Sequence, residues 1–157
     1  MQCQEWKLGS RRDKQCCQKT LDKMKRRKRM QFWGEDEDDD SLVREVIRGE
    51  KTATVCKADE YDLPDGDYDD GGLQVGELVE VYDLRQKLRC IVRITEVYNV
   101  RFGDIPEKLW RGEACRDAEH FREAHRHCWP HYDLTPDFEL TATHFELVEV
   151  VNPQTGE

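Results

Sequence analysis

Two neighbouring stretches limit what this chain can fold into. In residues 88–95, Leu88, Cys90, Val92 and Ile94 alternate with Arg89, Arg93 and Thr95, and a second strand candidate, 77–84, lies one short turn upstream. A period of two puts one face of each strand inside, and strands joined by a short turn run antiparallel. The pair therefore reads as a hairpin, its second strand continuing to residue 100. The flanking elements do not supply the strand-helix alternation of a doubly wound sheet.

Upstream, Leu42, Val43, Val46 and Ile47 form an apolar stripe at helical spacing. The acidic run 35–40 precedes it, Asp40 or Ser41 stands at the cap, Arg44 and Arg48 lie toward its end, and Gly49 follows. This is helix punctuation, and it gives the acidic run a structural role rather than a metal-binding one. Residues 52–56 read as a strand leaving that helix. Residues 58–76, with Pro64, Gly66, Gly71, Gly72 and Gly76 among many Asp, form a long loop. A short helix is expected over 104–110 with Pro106 in its first turn. A longer one is expected over 117–128, with Ala118, Phe121, His125 and Cys128 on one face. A long strand over 138–151, its mixed phase suggesting a bulge, closes the domain. The fold class is α+β, a small, curved, mostly antiparallel β-barrel with flanking helices, and no internal repeat is present.

Charge divides the chain unequally. The 157 residues carry a net charge of -9. Residues 1–30 hold eleven Lys and Arg against three acidic residues, a net of +8, which leaves -17 on the rest. Residues 1–30 are accordingly expected to be a disordered basic leader, 31–151 the domain, and 152–157 a tail. The leader is a solvated tail, an extension upstream of a start at Met30, or an RNA-contacting or nuclear-localisation arm. The acidic body argues against a broad footprint for duplex nucleic acid, while leaving room for a small basic cleft. No apolar run approaches the length of a bilayer span, so no membrane association is expected. Seven cysteines, an odd number without a CxxC pair, read as reduced thiols. The expected location is cytoplasmic, or nuclear if the leader acts as an address in a eukaryotic host.

Phe32-Trp33-Gly34, Asp39-Asp40-Ser41-Leu42-Val43, Gly49-Glu50-Lys51-Thr52-Ala53-Thr54, Gly112-Glu113 and Phe121-Arg122-Glu123-Ala124-His125 occur in this order. In order and approximate separation they resemble the ASCH domain family over residues 31–151. The resemblance implies a PUA-like fold, related to folds that bind RNA. Some single-domain members are N4-acetylcytidine amidohydrolases that use Lys, Thr and Glu, and these fall on Lys51, Thr54 and Glu113. Larger members carry a Glu-Gly-Glu-Gly run where this chain has Trp110-Arg111-Gly112-Glu113-Ala114-Cys115, and a Trp where it has Phe121.

The implied chemistry is self-consistent. A threonine hydroxyl needs an adjacent base to act as nucleophile. Lys51 either serves as that base or, held as a cation, stabilises the oxyanion, and Glu113 either orients Lys51 or shuttles a proton to the leaving group. Arg122 and His125, three apart on one helix, either line the cleft and contact phosphate, ribose or base, or are a surface charge and a packed histidine. Trp33 is a stacking platform for a base, or a core or lid residue. Cys115, His120, His125, His127, Cys128 and His131 invite a zinc reading, with His127 and His131 at i, i+4 and Cys128 close by. Pro130 interrupts the helix that would align them and no CxxC pair supports a closed site, so no metal and no cofactor are expected. Three functions remain: an amidohydrolase of N4-acylated cytidine, a non-catalytic RNA-binding module, and a ribonuclease. The partner is a nucleoside or single-stranded RNA.

Overall fold

A computed structural model describes residues 26–151; the expectations for 1–25 and 152–157 lie outside the described residues. In chain order the elements are β1 (Lys28–Gln31), α1 (Ser41–Ile47), β2 (Ala53–Lys57), a 3-10 turn (Ala58–Glu60), β3 (Leu78–Tyr82), β4 (Leu88–Arg101), α2 (Glu107–Gly112), α3 (Ala118–Cys128) and β5 (Glu139–Val150). The five strands form one sheet, in the order β1-β3-β4-β5-β2, curled into a half-barrel with the helices at its sides. Every pairing is antiparallel except β1 with β3.

The hairpin forms as the alternation requires, with β3 against β4 from Leu78↔Arg93 to Tyr82↔Leu88. Three irregularities bend the sheet. Arg89 is an extra residue on β4 opposite β3, Thr95 an extra residue on β4 opposite β5, and Val148 an extra residue on β5. Each adds twist locally, so a flat sheet is not available to these strands. The Arg89 bulge also re-aims its side chain, which is buried and paired with Asp83 and Asp40.

The charge pattern places a boundary at residue 31, but the sheet begins earlier. Lys28–Gln31 lie parallel to β3, and Met30 is buried. A run of cations becomes a strand here because the acidic loop answers it. The Asp70 carboxylate accepts from the Arg29 main-chain N–H at 2.8 Å and from the Arg26 guanidinium, and Lys28 pairs with Glu77. Burial alone would raise the Asp70 carboxyl, yet these hydrogen bonds hold it down at about 2.

Two apolar clusters flank the sheet. Met30, Phe32, Val43, Val46, Val81, Val92 and Phe145 lie in one; Ala53, Val55, Phe102, Leu109, Phe121 and Ala142 lie in the other. Helix α1 contributes Val43 and Val46 to the first, α2 contributes Leu109 and α3 contributes Phe121 to the second. Pro106 is the residue before α2 rather than part of its first turn, and Asp117 caps α3 by accepting from His120 N–H. Asp40 precedes α1 without a side-chain cap bond, its carboxylate being drawn off to Arg44 and Arg89. No helix among the described residues is long and apolar enough to cross a membrane.

Candidate functional site

Both halves of the site are delivered by the ends of helices. At the end of α1, Gly49 takes φ +80°, which only glycine adopts without strain. The Gly49 N–H then reaches Val46 O and the Glu50 N–H reaches Glu45 O, a Schellman closure. The Glu45 carbonyl also accepts the Lys51 N–H at 3.1 Å, so the turn carries straight into Lys51. At the end of α2 the same closure recurs, Ala114 N–H to Arg111 O and Cys115 N–H to Trp110 O, with Ala114 at φ +61°. Glu113 is the residue just before that turn.

Gly112 brings the two ends together. A Cβ at this position would stand 2.8 Å from the Ala53 Cβ, so only glycine lets α2 approach β2 this closely. The Gly112 carbonyl accepts the Thr52 N–H at 2.6 Å, which ties the end of the helix to the segment that follows Lys51.

Lys51 is buried, 2% exposed, and its Nζ donates to Glu113 Oε1 at 2.7 Å and to Ala53 O at 2.8 Å. The ammonium also stands 5.3 Å from the centroid of the Phe32 ring. Glu113 is buried as well, and its Oε2 has no hydrogen-bond partner among the described residues. Burial would raise its carboxyl, but the charges of Lys51 and His125 outweigh that and hold it at about 2. His125 presents Nε2 at 3.5 Å from Oε2, at ion-pair range but beyond a formed hydrogen bond. Its Nδ1 lies 2.8 Å from Phe121 O, and its ring stacks on Phe121 and meets the edge of Trp129.

The remaining candidates are placed less centrally. Thr54 follows Ala53 on β2 and faces the opposite side of the strand, opposite Thr143 of β5; no hydrogen bond joins its hydroxyl to Lys51 or Glu113. Arg122 is held by Glu119 and by Phe102 O, with no ion pair to Glu113. Trp33 is 41% exposed and meets the His127 ring edge-on, and His127 pairs with Glu35. The other members of the Cys/His set are dispersed: His120 Nδ1 accepts from Arg116 N–H, and His131 packs on Tyr132. No group of three metal-ligating side chains gathers among the described residues.

The family model of the ASCH domain matches residues 28–149. The chain belongs to the ASCH domain family. The match starts at residue 28, together with β1, rather than at 31. Two solved structures are similar in fold. A protein of the DUF984 family from Enterococcus faecalis V583 superposes with a TM-score of 0.63 at 21% identity, covering 92% of each chain. An ASCH domain from Lactobacillus crispatus JV V101 gives 0.61 at 22% identity, covering 89% of this chain and 96% of that one. No curated protein matches the sequence. The ASCH assignment accounts for the PUA-like half-barrel. The fold alone does not fix the chemistry of the Lys51 and Glu113 centre.

Proposed function

We propose that this ASCH domain binds a nucleoside-sized amide and hydrolyses it at the Lys51 and Glu113 centre, with N4-acylated cytidine as the substrate class. The observation that carries this reading is the buried ion pair itself. Removing two charges from water costs several kcal/mol per ion in order of magnitude, and such a pair seldom stabilises a fold more than apolar residues of the same volume would. A buried charged pair of this kind is better explained by chemistry than by packing.

The roles follow from the contacts. Lys51 donates to two acceptors and sits near an aromatic ring, all of which favour the ammonium. It acts as a fixed cation that polarises the acyl carbonyl and stabilises the oxyanion, not as the base. Glu113, its carboxyl held so low, is a weak base and serves to aim Lys51. Hydrolysis breaks the bond between the acyl carbon and the exocyclic nitrogen; the carbon gains the hydroxyl of water, and the amine leaves with the remaining proton. Trp33 offers an exposed ring for stacking on the base, and Arg122 completes the contact surface.

A second reading, an RNA-binding module, is favoured by one observation, the +8 charge of residues 1–30. Incubating the full chain with N4-acetylcytidine and following cytidine by chromatography separates the two. Turnover that vanishes in Lys51→Met is expected. Absence of turnover together with salt-sensitive, Lys51-dependent binding of single-stranded RNA would replace the hydrolase by the binding module, and cleavage of that RNA would point to a ribonuclease.

A further inference from the structure

Buried polar atoms almost always find a partner, because desolvating one without a hydrogen bond costs about 1–3 kcal/mol, and more for a charged group. Glu113 Oε2 breaks this rule, and the nitrogen facing it is His125 Nε2, 3.5 Å away. The other ring nitrogen decides which hydrogens the imidazole carries. Nδ1 lies 2.8 Å from the Phe121 carbonyl, one turn back on the same helix. A carbonyl only accepts, so Nδ1 bears a hydrogen. Stacking on Phe121, with centroids 4.1 Å apart, and the edge of Trp129 at 5.0 Å hold the ring in this orientation.

With Nδ1 as donor, a neutral ring would turn the bare lone pair of Nε2 toward a buried carboxylate. That contact is repulsive, and the low local dielectric strengthens the repulsion. Oε2 is shielded from solvent, so bulk water does not relieve the contact.

We infer that a hydrogen lies between His125 Nε2 and Glu113 Oε2, so that both nitrogens of His125 are protonated in the resting protein. Lys51, Glu113 and His125 then form one chain of charges with the carboxylate in the middle and a net charge of one positive unit. The charged and titratable groups around it are Glu45 of α1, within electrostatic reach of Lys51 and Glu113, His144 of β5, within reach of Glu113, and the thiols of Cys115 and Cys128. His125 is a positioning residue. It fixes Oε2, leaves Oε1 for Lys51, and makes the centre attractive to a negative charge developing on a ligand, in a domain whose surface is otherwise acidic. This functional consequence rests on the hydrolase reading; the protonation does not.

The test is nitrogen NMR on the full chain labelled with 15N-histidine, His125 being assigned by its absence in His125→Gln. In neutral buffer both nitrogens of His125 should be protonated, and Glu113→Gln should strip Nε2 while Nδ1 keeps its hydrogen. An unprotonated Nε2 in the wild type overturns the inference. Acid unfolding adds a readout independent of Glu113 variants. His125→Leu should unfold at a higher pH than wild type, and His125→Gln, which keeps a donor, should stay close to wild type. Equal behaviour of Leu and Gln would overturn the positioning role. If wild type shows no turnover of N4-acetylcytidine, the hydrolase reading falls while the NMR result stands.

Discussion

Lys51 Nζ and Glu113 Oε1 lie 2.7 Å apart although 62 positions separate them in the chain. Neither residue lies inside a helix or a strand: Lys51 shortly precedes β2, and Glu113 immediately follows α2. Their meeting depends on two helix endings and one missing Cβ, and each of these is open to substitution.

Removing one charge should be far more damaging than removing both. Lys51→Met leaves Glu113 buried and unpaired, and chemical denaturation should show a loss of about 3–5 kcal/mol. Lys51→Met combined with Glu113→Leu should return to within about 1 kcal/mol of wild type, since the pair then becomes apolar. A double variant as unstable as the single one would contradict the view that the pair is kept for chemistry. Neither variant should turn over substrate.

The two Schellman endings should respond to substitution with opposite signs. Gly49 has φ +80°, and a Cβ added there would meet nothing within 4 Å, so Gly49→Ala acts through the backbone alone and should cost about 1 kcal/mol. Ala114 already bears that strain at φ +61°, and Ala114→Gly should stabilise the fold by up to about 1 kcal/mol. Thermal unfolding of the two variants checks both.

Acid should unfold the protein through its held-down carboxylates. Glu113 and Asp70 stand at about 2 in the folded state against ordinary values of 4.5 and 3.8. As pH falls below about 4.5 the unfolded chain takes up protons that the folded one refuses, so stability present above that pH is lost down to about pH 2. A melting temperature flat from pH 5 to pH 2 would contradict this.

Asp69 should act in the opposite sense. Burial, aided by Asp65 and Asp70, pushes its carboxyl up to about 7 despite the Gly71 N–H that favours the ionised form. Between about pH 4 and pH 7 the folded chain holds a proton that the unfolded one has lost, so this group removes stability as pH rises. Asp69→Asn, which keeps the acceptor for Gly71, should raise the melting temperature at pH 8 and leave it unchanged at pH 4.

Removing residues 1–29 should destabilise the protein more than removing 1–25. The longer cut takes Lys28 and Arg29 from β1 and deletes Arg26 and Arg29, which pair with Asp70. Equal melting temperatures would mean that the parallel pairing with β3 adds nothing.

What was legible in the sequence followed local rules. The alternation around Val92, the apolar face that includes Phe121, and Gly49 each act within a few residues, and each identified its element. β1 was hidden because Lys28 and Arg29 look like a solvated run until Glu77 and Asp70, far along the chain, neutralise them. The ASCH resemblance named Lys51 and Glu113 as candidates, but no periodicity announces that Gly112 packs on Ala53 and so joins them. Thr54 shows the limit of motif spacing. Strand alternation turns it away from the face of Ala53, a fact that GxKxxT does not contain.

The strand order also sets a timetable. The two strands synthesised first, β1 and β2, occupy the outer edges of the sheet, and each must wait for a partner made much later: β3 for β1, β5 for β2. Contacts so remote in the chain form slowly, because a long loop must close before they repay it. Ala53 pairs with His144, so β2 finds its place only when the last strand has left the ribosome. A nascent chain therefore carries Lys51 unpaired through most of its synthesis, and the charged centre is among the last parts of the molecule to exist.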